Sequence, residues 1–311
     1  MGALIDVILP VFLVIGFGYV AVWRGLFSDD AVEGLMAFTQ KFAIPCLLFR
    51  AISTLDLGQT FDAELLSIFY TGATASFVVA MLGARFLFAR PWTDSVAIGF
   101  CCLFSNSLLL GLPITERAYG ADALAANYAI VAIHAPYCYL LGITAMELAR
   151  ASGAGLGLAD MLGKIARAIF ANSLILGILA GFAVNLGQIP MPGPLIDAID
   201  LMIRAALPAA LFGLGGVLYR YRPEGDLRTI AFTTAVALVL HPSIVWVLGR
   251  AADLSDPALR SALITGAMPP GINAYIFANM YGVGRRVAAT TVLFGTAFAI
   301  FTTAAWISIL P

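Results

Sequence analysis

The sequence predicts an all-α integral membrane protein of ten transmembrane helices, arranged as a 5+5 inverted repeat with helices four and nine broken at mid-membrane. Three observations carry this expectation. Of 311 residues, 61% are hydrophobic and only 11% are charged, against roughly 25% charged in soluble domains. Ten apolar stretches approach or exceed the ~20 residues a spanning helix needs. The second half of the chain also restates parts of the first at an offset of 163 residues.

Taken in order, the first apolar stretch runs from about Ile5 to Trp23, without the basic leader and small-residue cleavage site of a signal peptide, so it reads as a retained helix. The second covers Val32 to Ile52 and the third Ala63 to Phe88. The fourth, Thr93 to Tyr119, is interrupted, and the fifth covers Ala123 to Ala149. A small, glycine-rich connector, Ala151 to Gly163, then separates a first unit (1–150) from a second (164–311). The sixth stretch is Lys164 to Leu186, the seventh Pro194 to Tyr219 and the eighth Leu227 to Arg250. The ninth, Pro257 to Tyr281, is again interrupted, and the tenth is Val287 to Ile309. No soluble domain fits between them.

The repeat is clearest where Lys41–Phe49 aligns without gaps on Arg204–Phe212, with Pro45 falling on Pro208. The same offset lays Gly18 on Gly181 and Asn106 on Pro269. A repeat unit of five helices is odd, so the second unit enters the bilayer from the opposite side. Basic residues orient the whole. Eleven lie in loops after odd-numbered helices and four, Arg50, Arg117, Arg250 and Arg260, after even-numbered ones. By the positive-inside rule the odd loops are cytoplasmic and both termini face outward.

The two interruptions read Phe104-Ser105-Asn106-Ser107 through Gly111-Leu112-Pro113, and Met268-Pro269-Pro270-Gly271-Ile272-Asn273. Proline removes a backbone donor and glycine adds freedom, so both runs predict broken helices. Irregular backbone at that depth requires burial in protein or a watery cavity, and a matched pair of breaks points to a binding site. A helix restarting after a break offers unpaired N–H groups and a positive dipole end, which suits an anion. Pro113 is expected in the first turn of such a restart. Asn106 and Asn273 are candidates to donate amides to an anion, with Ser105, Ser107 and Tyr275 as further candidates. The plainer reading is that these polar groups only satisfy the broken backbone.

Lys41 and Arg204 lie within helices, one turn before a proline, where an unpaired cation is costly. They are candidates for anion contact; the alternative is structural pairing, with Asp200, four residues before Arg204, and Asp197 and Asp6 as possible counter-charges. His134, near the centre of helix five, is a candidate for anion or proton handling, although a lone packed histidine is the commoner case. His241 carries the same reading more weakly. Pro10, Pro45, Pro136, Pro208 and Pro242 read as kinks. Cys46, Cys101, Cys102 and Cys138 sit in apolar segments without metal-ligand spacing and read as small buried hydrophobes. No metal site or cofactor is expected.

On Leu9-Pro10-Val11-Phe12 with Gly16 and Gly18, on Phe42-Ala43-Ile44-Pro45, and on the two interrupted motifs, the chain resembles the auxin efflux carrier family, of plant PIN carriers and bacterial malonate and malate permeases. The likeness spans the whole chain, and the short connector looks like the bacterial type. The resemblance implies a secondary-active carrier for small organic anions, such as mono- or dicarboxylates or auxin-like acids, in a bacterial inner membrane. It also implies broken helices four and nine that cross, a scaffold part and a transport part, and often a homodimer. A coupling ion, proton or sodium, is left open. The rival readings are an anion channel and a sodium-coupled carrier of the bile-acid type. An enzyme is not expected, because neither HExxH nor a mid-helix aspartate pair occurs.

Overall fold

Hydrophobic stretches bounded by Ser, Asp and Asn caps become long helices, and helices are all the fold contains among the described residues. The computed structural model describes residues 2–150, 162–163, 167, 172–221 and 223–310. The expected connector and the start of the sixth stretch, with Lys164, lie almost wholly outside them, as does Arg222. In order, the helices are α1 (Gly2–Trp23), α2 (Asp29–Phe38), α3 (Ile44–Thr54), a single turn α4 (Leu57–Thr60), α5 (Ala63–Phe86), α6 (Trp92–Leu103), α7 (Leu112–Tyr119) and α8 (Ala125–Arg150). After the connector come α9 (Ser173–Leu186), α10 (Gly193–Arg220), α11 (Leu227–Ala235), α12 (His241–Ala251), α13 (Asp256–Gly266), α14 (Ile272–Tyr281) and α15 (Arg285–Ser308). Seven continuous helical stretches among the described residues are long and apolar enough to cross a membrane; α6 and α9 are shorter apolar helices.

Three of the prolines act through a common device. π-helical segments Thr39–Ala43, Ser107–Gly111 and Val236–Leu240 each run into a helix whose second residue is Pro45, Pro113 or Pro242. The N–H groups of Ile44, Leu112 and His241, immediately before those prolines, bond five residues back, to Thr39, Ser107 and Val236. Widening the helix there accommodates a ring that would otherwise meet the carbonyl four residues behind it. Pro10, Pro136 and Pro208, in contrast, lie inside unbroken α-helix.

Two helix pairs pack back to back through glycines 163 residues apart in sequence. A Cβ on Gly18 of α1 would overlap the Phe212 carbonyl of α10, and one on Gly181 of α9 would lie 2.9 Å from the Phe49 carbonyl of α3. Glycine is what permits this close approach of backbones. Phe49 and Phe212 are themselves related by the 163-residue offset, so the same contact is made twice.

Polar contacts sort the loops to two ends. At one end Arg220 pairs with Asp29 (2.9 Å) and Glu33 (3.1 Å), Arg90 with Asp226 (3.4 Å) and Arg286 with Glu224 (3.5 Å). At the other, Arg50 pairs with Asp200 (3.4 Å), Arg117 donates to the Asp6 and Val7 carbonyls (2.8 and 3.1 Å), and Asn185 donates to those of Ile52 and Leu55 (2.9 and 2.8 Å). The first end gathers the loops after odd-numbered stretches, the second those after even-numbered ones. Asp200 therefore serves Arg50 on a neighbouring helix, and the expected pairing with Arg204 is not formed.

Candidate functional site

Helical backbone stops at Leu103 and resumes at Ser107, and stops again at Gly266 and resumes at Ile272. The two interruptions meet. The Asn106 N–H donates to the Pro269 carbonyl at 2.8 Å and the Gly271 N–H to the Phe104 carbonyl at 3.0 Å, with Ser105 and Pro270 facing each other in a short antiparallel bridge. Each extended strip satisfies the other's exposed backbone, which is how irregular chain survives inside an apolar bundle. The first interruption lies earlier than the glycine and proline of its motif suggest. Gly111 and Pro113 are in resumed helix, and Pro113 falls six residues after the restart, in its second turn, behind the π segment. Gly271, at φ −80°, has no need of glycine's freedom. Pro269, Pro270 and Gly271 do form the second interruption.

Both restarts open on one cavity of about 320 Å³. Ser107 and Asn273 stand in the first turns, where N–H groups have no partner in their own helix, and neither Asn106 nor Gly271 caps them with a side chain. Asn106 is 6% exposed, and its Nδ2, like the Ser105 Oγ, has no hydrogen-bond partner among the described residues. A buried donor left unpaired costs about 1–3 kcal/mol, so these atoms are either strained or waiting for a ligand. Lys41 faces the same cavity from the π segment of the α2–α3 helix. It has no ion-pair partner among the described residues. The Asn273 Oδ1 accepts from the Tyr139 hydroxyl at 3.3 Å. His134 is buried on the cavity wall, its ring edge-on to Phe104 (4.8 Å between centroids) and its Nδ1 3.8 Å from Cys138 Sγ.

The fold thus brings together Lys41, Ser105, Asn106, Ser107, His134, Gly271 and Asn273. It does not bring Tyr275, which lies two residues and so about 200° round the helix from Asn273 and packs on Tyr221 at 5.1 Å. Nor does it bring Arg204, which lines a separate cavity with Pro113 and Glu116. Gln40, Tyr139, Asn172 and Ser173 line the first cavity without having been singled out in the sequence. Behind it, Asn127 of α8 donates to Thr265 of α13 (2.9 Å) and Thr115 of α7 (3.3 Å), tying the two interrupted helices together. A wholly buried asparagine inside an apolar span is itself a signal of purpose.

A bundle of membrane-length helices with two facing interruptions around a polar cavity has the build of a membrane transporter. The family described as membrane transport protein matches residues 3–155 and 157–307, nearly the whole chain, so the protein belongs to that family, which is the auxin efflux carrier family. Among similar proteins, a putative malonate transporter of Rhizobium meliloti (strain 1021) is 28% identical over 306 residues, covering 97% of this chain and 94% of that one. The uncharacterized transporter YfdV of Escherichia coli (strain K12) is 23% identical over 96% of this chain and 95% of its own. Auxin efflux carrier component 5 of Arabidopsis thaliana is 22% identical, covering 94% and 92%.

Proposed function

We propose that this transporter is a secondary-active carrier for small organic anions of the mono- or dicarboxylate class, binding them between the two restarted helices. One observation carries the reading. The unpartnered Asn106 amide, the Lys41 ammonium and two helix starts converge on a single cavity. Helix N-termini and a cation attract a carboxylate, and a free amide supplies a directed donor. The similarity to a putative malonate transporter makes malonate the first compound to test.

We read the chain further as ten helices in a 5+5 inverted repeat whose broken helices cross. The exchanged contacts of Gly18 with Phe212 and Gly181 with Phe49, and the facing interruptions, support this. The end carrying Arg90, Arg220 and Arg286 is then cytoplasmic, with the termini outside a bacterial inner membrane. Transport proceeds by alternating access, the second and seventh stretches bending near Pro45 and Pro208 as the interrupted helices shift, and the working unit is a homodimer. A channel would need a continuous polar path. An apolar cluster that includes Ile44, Leu48 and Leu109 of the cavity lining supports a gated carrier over an open pore.

Counterflow in proteoliposomes tests this, with unlabelled malonate loaded inside, labelled malonate outside and unlabelled mono- and dicarboxylates as competitors. Saturable exchange is expected; its response to sodium and to two pH values assigns the coupling ion, sodium or proton. Non-saturable current without exchange would overturn the carrier reading.

A further inference from the structure

Arg204 lines a second cavity, of about 690 Å³, that the site above does not use. Along the fourth and fifth stretches it lies farther toward one end of the bundle, while on α3 its Leu47 falls between Ile44 and Leu48 of the first cavity. Along the fourth stretch the first cavity touches residues 104–109 and the second Pro113, Glu116 and Arg117. Along the fifth stretch the first touches Val131 to Tyr139 and the second Leu124, just before α8, and Tyr128. Four helical residues separate Leu109 of the first cavity from Pro113 of the second, about 6 Å of axis. Between the cavities lies one apolar cluster: its Ile44, Leu48, Leu109 and Val131 line the first cavity, and its Leu47 and Leu124 line the second.

Three charged side chains line the second cavity, Glu116, Arg117 and Arg204. Arg117 is held by the Asp6 and Val7 carbonyls. Asp200 is taken by Arg50. Glu116 shares the cavity, yet no acidic side chain among the described residues lies within ion-pair distance of Arg204. A mid-helix cation without a counter-charge needs a polar space or an anion to face. Arg204 is also the repeat partner of Lys41. The first cavity thus holds one member of the pair and the second holds the other.

We infer that the second cavity is a carboxylate-receiving compartment on the far side of the apolar cluster, in which Arg204 replaces Lys41 as the cation when the protein faces the other way. This rests on the carrier reading. Alternating access rocks one unit against the other around the mid-membrane site, and the two cations at equivalent offset positions line cavities that open on different faces of the apolar cluster. The two cations then act in turn on one substrate, and each governs affinity from its own face.

The test measures half-saturating malonate for exchange in right-side-out and inside-out vesicles. Lys41→Gln is expected to raise it about tenfold or more from one face, and Arg204→Gln by a similar factor from the opposite face, the loss of one charge-assisted hydrogen bond in each case. Arg204→Lys should recover most of the loss. As a second measurement that leaves Arg204 in place, Leu207→Cys in a Cys46→Ala background should react with a membrane-impermeant anionic thiol reagent from one face only, and malonate should protect it. Both variants affecting the same face, Arg204→Gln affecting neither, or Leu207→Cys reacting equally from both would overturn the inference. If Arg204 alone is silent, the Asn106 site still stands. If Asn106→Ala is silent from both faces, that site falls and this inference falls with it.

Discussion

Asn106→Ala separates a ligand-binding amide from a structural one. In the unliganded protein the Asn106 Nδ2 is buried and has no partner among the described residues, so removing it breaks no hydrogen bond and relieves an unsatisfied donor, a penalty of about 1–3 kcal/mol. Alanine keeps the Cβ that rests about 3.7 Å from where a Cβ on Gly271 would stand, and the Asn106 backbone N–H still reaches the Pro269 carbonyl. The variant should therefore melt at or above the wild-type temperature in detergent. Binding should suffer instead. A hydrogen bond to a carboxylate is worth about 1.5–3 kcal/mol, or roughly 10- to 150-fold in affinity. Asn127→Ala is the opposite case: it deletes donations to Thr115 and Thr265, so it should lose about 1–3 kcal/mol of stability with the cavity wall left in place. Thermal melts and malonate titrations of both purified variants decide the matter. If Asn106→Ala melts as low as Asn127→Ala, or binds malonate with wild-type affinity, Asn106 is a staple and the reasoning fails.

Further outcomes follow from the same geometry. Tyr139→Phe removes the donor to Asn273 and should raise half-saturating substrate by about 2- to 10-fold with little change in melting temperature, as for a neutral hydrogen bond of ~0.5–1.5 kcal/mol. Gly18→Ala forces a methyl onto the Phe212 carbonyl, whereas Gly16→Ala meets nothing within 4 Å. The first should cost about 1–3 kcal/mol by overpacking and the second should be neutral or slightly stabilising, both read from melts of the purified protein.

Much of this architecture is visible in the residues because bilayer thickness and backbone satisfaction leave few solutions. Ten apolar stretches, a 163-residue offset and a Pro-Pro-Gly run announce membrane helices and at least one break. The site is only partly legible. Gly111 and Pro113 point to a break several residues too late, because a π segment absorbs Pro113 and helix continues through it. Tyr275 looks like a neighbour of Asn273 in sequence but faces away, a matter of 200° of helical rotation. Asp200 sits at pairing distance from Arg204 along one helix, yet Arg50 on another helix captures it; spacing within a helix says nothing of neighbours across it. Lys41 and Arg204 look equivalent at the 163-residue offset, yet they line different cavities. Asn127 carried a readable signal, a lone amide in an apolar span, but its role emerged only when α7 and α13 were found on either side of it.

In the proposed site one carboxylate sits between Lys41 and the helix starts at Ser107 and Ile272. A map of the protein with a bromine-labelled analogue of the tightest counterflow competitor addresses it directly. Anomalous density is expected inside the 320 Å³ cavity, with the carboxylate against Asn106 and Lys41. Density seated elsewhere, with that cavity empty at saturating ligand, would contradict it.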